Sequence, residues 1–389
     1  MTSSLVGSEM CIRDRTGTGQ ASDAEANRRR METCADKLLA LLRGGLYGCS
    51  PEGEFTRPAS AAEWETLCRM ASAHGVLAIA YDGMMLLPPE LRPPRPSLLR
   101  WACNTEAVER RYAFQKARAA ELADRFAAEG IATYVLKGMA FGVSYPRPEH
   151  RPAGDLDCFL PGACDKGNRV AREAGAEVRD GYYKHAHIRY RGLVVENHRY
   201  CLSIRGSRET KALERLLEGM MPRTGEPACV PGTRLLIPSP LFNAVLLTRH
   251  ALGHFLTEGI SLRHLCDWAC LLAAEQERID ADAFGRICDR FGLGTFAGAM
   301  TTLAAERLGT PLTTWPSTPN APADLLLADI LEGGRTVFAK KGGPWQKRTM
   351  LLRNMLAGRR RYRIFYGRSM FGESLRSVWG YLTDRNPVL

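Results

Sequence analysis

The apolar residues of this chain change period twice, and that change limits the folds open to it. From about Met31 to Gly130 they recur at helical spacing: in CADKLLALL, in AAEWETLCRMASAHGVLAIAYDGMML and, after the Pro-rich LPPELRPPRPS, in a long amphipathic run from Leu98 to Ala128. Gly130 then reads as the left-handed residue that stops a helix. Over about 131–204 short apolar runs take over, IATYVL, DLDCFL and LVVENH. Helical spacing returns at SPLFNAVLL, where Ser239 can cap the first turn and Pro240 suits the position after it. A sheet between two helical regions, an α+β fold, is therefore expected. The divisions are a helical region at 31–130, a core at 131–215, a second helical region at 216–339 and a basic segment at 340–389. Residues 1–30 are set aside as a leader. Their SSLVGSEMCIRDR resembles translated sequencing-adapter read-through and has neither helical nor strand period.

With 45% hydrophobic and 24% charged residues the chain is globular rather than fibrous or disordered. It has no run near the roughly 18 apolar residues that would cross a bilayer, and no charged-then-apolar leader with a cleavage site. Its 12 cysteines form no CxxC pair, so reduced thiols in a soluble, cytoplasmic protein are expected. Residues 340–389 carry +10 of the net charge of +11, interleaved with Trp345, Tyr362, Phe365 and Tyr366. This end suits a polyanionic partner such as nucleic acid or anionic lipid, and equally a solvated basic helix and tail.

The core holds a conflict. If DLDCFL is a strand, Asp155, Asp157 and Phe159 point one way and Leu156, Cys158 and Leu160 the other. Two carboxylates on one face repel unless something positive lies between them. A divalent cation with oxygen ligands meets that need, and magnesium usually keeps waters and substrate phosphates as further ligands. The same pair can also be no more than solvated strand-end acids. The context favours the cation. VLKG ends the preceding strand and GMAFGVSY reads as a helix from Gly138, so the backbone N–H groups there, with Lys137, form a phosphate cradle. Arg151 offers a second positive contact to a polyphosphate.

A further acid stands in KHAHIRYRGLVVENHRY. Arg191-Gly192 is a plausible two-residue hairpin turn, and it sets His187 opposite Glu196 and His185 opposite His198. His185, His187, Glu196 and His198 then share one face, with Ile188, Tyr190, Leu193 and Val195 on the other. A three-residue loop would break the cross-strand pairing but leave Glu196 and His198 together.

LKG (136–138), RPAGDLD (151–157) and ENH (196–198) together resemble the uncharacterised nucleotidyltransferases of the minimal polymerase-β type. The likeness reaches the flanks, ASAHGVLAIAY before the core and HALGHFLTEGISLRHLCDWACLL after it. It implies a polymerase-β-like mixed sheet between helical regions, with Asp155 and Asp157 as metal ligands and Glu196 as the third acid. LKG stands where better-known relatives carry Gly-Ser. The implied chemistry is two-metal transfer of a nucleotidyl group from a nucleoside triphosphate (NTP) to an unknown acceptor: a small molecule, protein or RNA. Mg2+ would bridge the phosphates, Lys137, Gly138 and Arg151 would bind them, and His198 would contact the acceptor or leaving group.

Two other readings use the same residues. A degenerate member would bind nucleotide or RNA without turnover. Three histidines and a glutamate are also acceptable zinc ligands for a hydrolase, but that leaves the two aspartates and the Lys-Gly turn without a role. His250 and His254 in HALGH, one turn apart, are expected to be structural and to pack over the cleft. Arg263 and Asp267 are expected to form a helical ion pair.

Overall fold

The computed structural model describes residues 18–338, apart from 153, 205–207, 222–226, 314 and 316–320, and most of 358–372. The basic end expected at 340–389 therefore lies largely outside the described residues. Helices α1 (Thr18–Tyr47), α2 (Ala61–Ala73), α3 (Leu77–Met85) and α4 (Arg95–Ala128) come first. Helix α1 starts inside the stretch set aside as leader. The core follows as β1 (Thr133–Val135), α5 (Met139–Gly142), β2 (Leu156–Phe159), α6 (Cys164–Glu173), β3 (Glu177–Arg179), β4 (His185–Tyr190), β5 (Leu193–His198), α7 (Arg208–Met220) and β6 (Leu235–Leu236). Helices α8 (Pro240–Thr257), α9 (Leu262–Glu275), α10 (Ala281–Phe291), α11 (Gly294–Leu308) and α12 (Ala323–Phe338) complete the succession.

The six strands form one mixed sheet in the order β3-β4-β5-β2-β1-β6. Strands β2 and β5 pair in parallel, as do β1 and β6, and the other neighbours are antiparallel. Neither β3 nor β6 is signalled in the sequence. Each is an edge strand of two or three residues, too short to show a period. The expected caps hold: Gly130 has φ +69°, and Ser239 Oγ accepts from the Phe242 N–H with Pro240 in the first turn of α8.

The two faces of the sheet look into different cores. Leu156, Cys158, Leu160, Ile188, Tyr190, Leu193 and Val195 pack with Leu122 and Phe126 of α4 and Val170 of α6. On the opposite side Tyr134, Leu136 and Phe159 join a larger cluster that also holds Leu38 and Leu41 of α1, Trp64 of α2, Phe242 of α8, Trp268 of α9 and Leu303 of α11. Helices from both ends of the chain thus share one apolar interior, in which close packing rather than chain order sets the neighbours. Phe365, from a helical stretch at 358–365, inserts beside Phe255 and Phe296. Arg361 there pairs with Asp329. This part of the basic end is docked, not a free tail. Among the described residues no helix is long and apolar enough to cross a membrane.

Candidate active site

The site is assembled where β1 ends against β2. Val135 pairs with Cys158 and the Leu136 N–H donates to the Asp157 carbonyl at 3.0 Å, so the chain leaves the sheet beside Asp157. Lys137 is the next residue, and its Nζ lies 2.5 Å from Asp157 Oδ1. Gly138 then turns with φ +57° and ψ −106°, a conformation open to glycine and costly for residues with a Cβ. The helix expected over 138–145 is only the four residues of α5. One turn sums few peptide dipoles, so the positive charge at this bend comes mainly from Lys137.

Asp157 and Glu196 are register partners on the adjacent parallel strands β2 and β5. Their side chains therefore lie on one face. Asp155 sits just before β2 rather than within it. Burial pushes its carboxyl above the ordinary value, and repulsion from Asp157 and Glu196 adds to that, against the pull of Lys137. Burial also works to raise Asp157, but the hydrogen bond from His198 and the charge of Lys137 outweigh it and hold the carboxyl well below the usual range. Glu196 is likewise lowered: burial opposes, while His198 and His185 prevail.

The hairpin has the expected register, with His185 opposite His198, His187 opposite Glu196 and Tyr190 opposite Leu193. Arg191 at φ +47° and Gly192 at φ +86° make the primed two-residue turn that matches strand twist. Buried His198 has Nε2 2.9 Å from Asp157 Oδ1 and 3.3 Å from Glu196 Oε2, with Nδ1 3.0 Å from the Tyr200 carbonyl oxygen. His185 Nδ1 is 3.3 Å from the same Glu196 oxygen, and its Nε2 is 3.2 Å from His187 Nε2. Ligand atoms of His185, Glu196 and His198 all lie within 4.8 Å of one another. The donor set is suited to a divalent ion: Asp157 and Glu196 share a face by register, and Asp155 carries repulsion from both that a cation would relieve.

Arg151 and Asp267 are partners of each other. Arg151 is buried, and its Nε and one terminal nitrogen fork onto Asp267 at 2.7 and 2.8 Å, with the Tyr145 hydroxyl donating to the same carboxylate at 2.6 Å. Asp267 thus has its main partner 116 residues away, while Arg263 Nε, one turn before it, has no hydrogen-bond partner. Arg151 ties the loop before Asp155 to α9, and its guanidinium is engaged there. His250 and His254 stack edge to face at 4.5 Å on α8. Burial and the nearby Lys137 ammonium drive His250 well below its ordinary pKa.

Lys184 was missed by sequence reasoning. Burial and Lys137 lower its pKa, against the attraction of Asp157 and Glu196. It immediately precedes β4, where the alternation of a strand assigns no face, and its place in KHAH next to His185 was the available signal.

A family model described as "uncharacterised nucleotidyltransferase" matches residues 60–309, more than half of the chain. The chain belongs to this family. The match takes in α2 to α11 and with them every acid, lysine and histidine of the candidate site. The mixed α+β architecture and the six-stranded sheet are consistent with a nucleotidyltransferase fold. Comparison with curated proteins finds no match, and comparison with solved structures finds none either.

Proposed function

We propose that this nucleotidyltransferase moves a nucleotidyl group from an NTP to a hydroxyl acceptor with Mg2+ as cofactor. The observation that carries the reading is the registration of Asp157 against Glu196, with Asp155 two residues before Asp157. Asp155, Asp157 and Glu196 would hold the ions. When bound, these neutralise phosphate charge and acidify the acceptor hydroxyl. Lys137 and Lys184 supply further positive charge for the triphosphate beside the turn at Gly138. The acceptor oxygen attacks the α-phosphorus, its proton passes to Glu196, and the bond to the pyrophosphate oxygen breaks. His198 holds Asp157 and Glu196 in place rather than reacting. Arg151, fixed on Asp267, acts by positioning the loop that carries Asp155.

The test is incubation with each labelled NTP and extract fractions, with Asp155→Ala as control. Label transferred by the wild type and lost in a folded Asp155→Ala supports the reading. Nucleotide or RNA binding without transfer in the wild type overturns it in favour of the non-catalytic binder. One contact favours that second reading: Lys137 already neutralises Asp157 at 2.5 Å.

A further inference from the structure

His198 presents an arrangement that carboxylate-only magnesium chemistry does not need. A carbonyl oxygen can only accept, so the contact of Nδ1 with Tyr200 places a proton on Nδ1. Nε2 then faces two carboxylate oxygens, of Asp157 at 2.9 Å and Glu196 at 3.3 Å. A neutral ring would turn a lone pair toward both oxygens, which is repulsive. A cation must sit between them, either a proton on Nε2 or a metal ion bound by it. Fixing a histidine through a backbone carbonyl on one nitrogen is how proteins orient the other toward a metal.

His185 gives an independent indication. Its side chain is only 10% exposed, and Nδ1 is buried without a hydrogen-bond partner while lying 3.3 Å from Glu196 Oε2. If its Nε2 donates to His187 Nε2 at 3.2 Å, Nδ1 is left with a lone pair beside the same Glu196 oxygen that His198 Nε2 approaches. An orphaned buried nitrogen is costly unless something binds it.

We infer that His185 Nδ1, His198 Nε2 and a Glu196 oxygen form a site for a first-row transition-metal dication, with Asp157 Oδ1 as the neighbouring oxygen. Two imidazoles and carboxylate oxygen favour zinc or cobalt over magnesium, which prefers oxygen alone. The site shares Glu196 with the proposed catalytic set but does not rest on nucleotidyl transfer. It binds its ion without nucleotide.

The test is metal binding by the full chain with no nucleotide present. Calorimetry with Zn2+ should give one site that excess Mg2+ does not displace, and His185→Gln should weaken Zn2+ by at least about tenfold, the scale on which even outer-shell partners matter. Asp155→Asn should leave Zn2+ affinity within a fewfold. Co2+ added to the wild type supplies a readout that needs no variant: the intense visible absorption of low-coordinate nitrogen and oxygen ligation, as opposed to the weak bands of a six-oxygen site. Weak Co2+ bands, Zn2+ readily displaced by Mg2+, or affinity unchanged in folded His185→Gln would each overturn the inference. NTP transfer with Mg2+ in the same preparation would show that the transferase reading survives that failure.

Discussion

Lys137 Nζ lies 2.5 Å from Asp157 Oδ1, so the lysine after β1 is the charge partner of the central acid of the site. One ammonium cannot at once hold Asp157 and contact a triphosphate fully, and a divalent ion competes for the same oxygen. Lys137→Met is expected to tighten Mn2+ binding to the nucleotide-free protein and to weaken NTP binding. Each change should be about tenfold, near the lower end of the ~1.5–3 kcal/mol typical of hydrogen bonds to charged groups. Calorimetric titration with Mn2+ alone and then with NTP measures both, and unchanged Mn2+ affinity would refute the competition.

The Arg151 and Asp267 pair is buried and doubly hydrogen-bonded, with Tyr145 as third member. Removing one partner leaves the other charge buried alone. Arg151→Met and Asp267→Asn should each lose about 3–5 kcal/mol of unfolding free energy, the range for breaking such a pair. Urea unfolding is the measurement. A loss under ~1 kcal/mol for either variant would mean that the pair does not fix the loop ahead of Asp155.

What the sequence revealed about fold and site was local. The change from helical to strand period marked the core, Arg191-Gly192 set the hairpin register, and two-residue alternation placed Asp157 with Phe159 and Glu196 with His198. What it hid depends on separation along the chain. Nothing near Arg151 points to Asp267, and an i,i+4 spacing instead suggested Arg263 for that acid. The shared core of α1, α8, α9 and α11 is likewise long-range, so the chain read as successive regions when its two ends pack together. Strands β3 and β6 were too short to show alternation.

His150 is buried with Nδ1 2.5 Å from Asp82 Oδ2 and Nε2 2.7 Å from Glu109 Oε1, which joins α3 and α4 to the loop ahead of Asp155. Arg147 touches the same two acids and Glu149. Burial opposes the charged ring and Arg147 adds repulsion, but hydrogen bonds to Asp82 and Glu109 win and raise the pKa above 6.5. A raised histidine pKa contributes stability that is complete below the unfolded value and is lost as pH rises through the folded one. The stability gap between wild type and His150→Gln should therefore be about 1–3 kcal/mol at a pH near 6 and shrink toward pH ~9. Denaturant titrations at both pH values check it, and a gap that widens with pH would contradict the assignment.

Asp155 is the acid of the three whose carboxyl is raised, by burial and by repulsion from Asp157 and Glu196. Without a bound cation its charge works against the fold, as expected where a site is shaped for a ligand rather than for stability. Asp155→Asn removes the charge and keeps the volume. In chelator it should unfold at a higher temperature than wild type, because the charge that burial, Asp157 and Glu196 disfavour is gone. In the presence of Mn2+ and NTP the order should reverse, because the wild type gains ligand binding that the variant lacks. Thermal unfolding of both proteins under the two conditions decides it. A variant less stable than wild type in chelator would mean that Asp155 is held by the fold itself rather than kept for a cation.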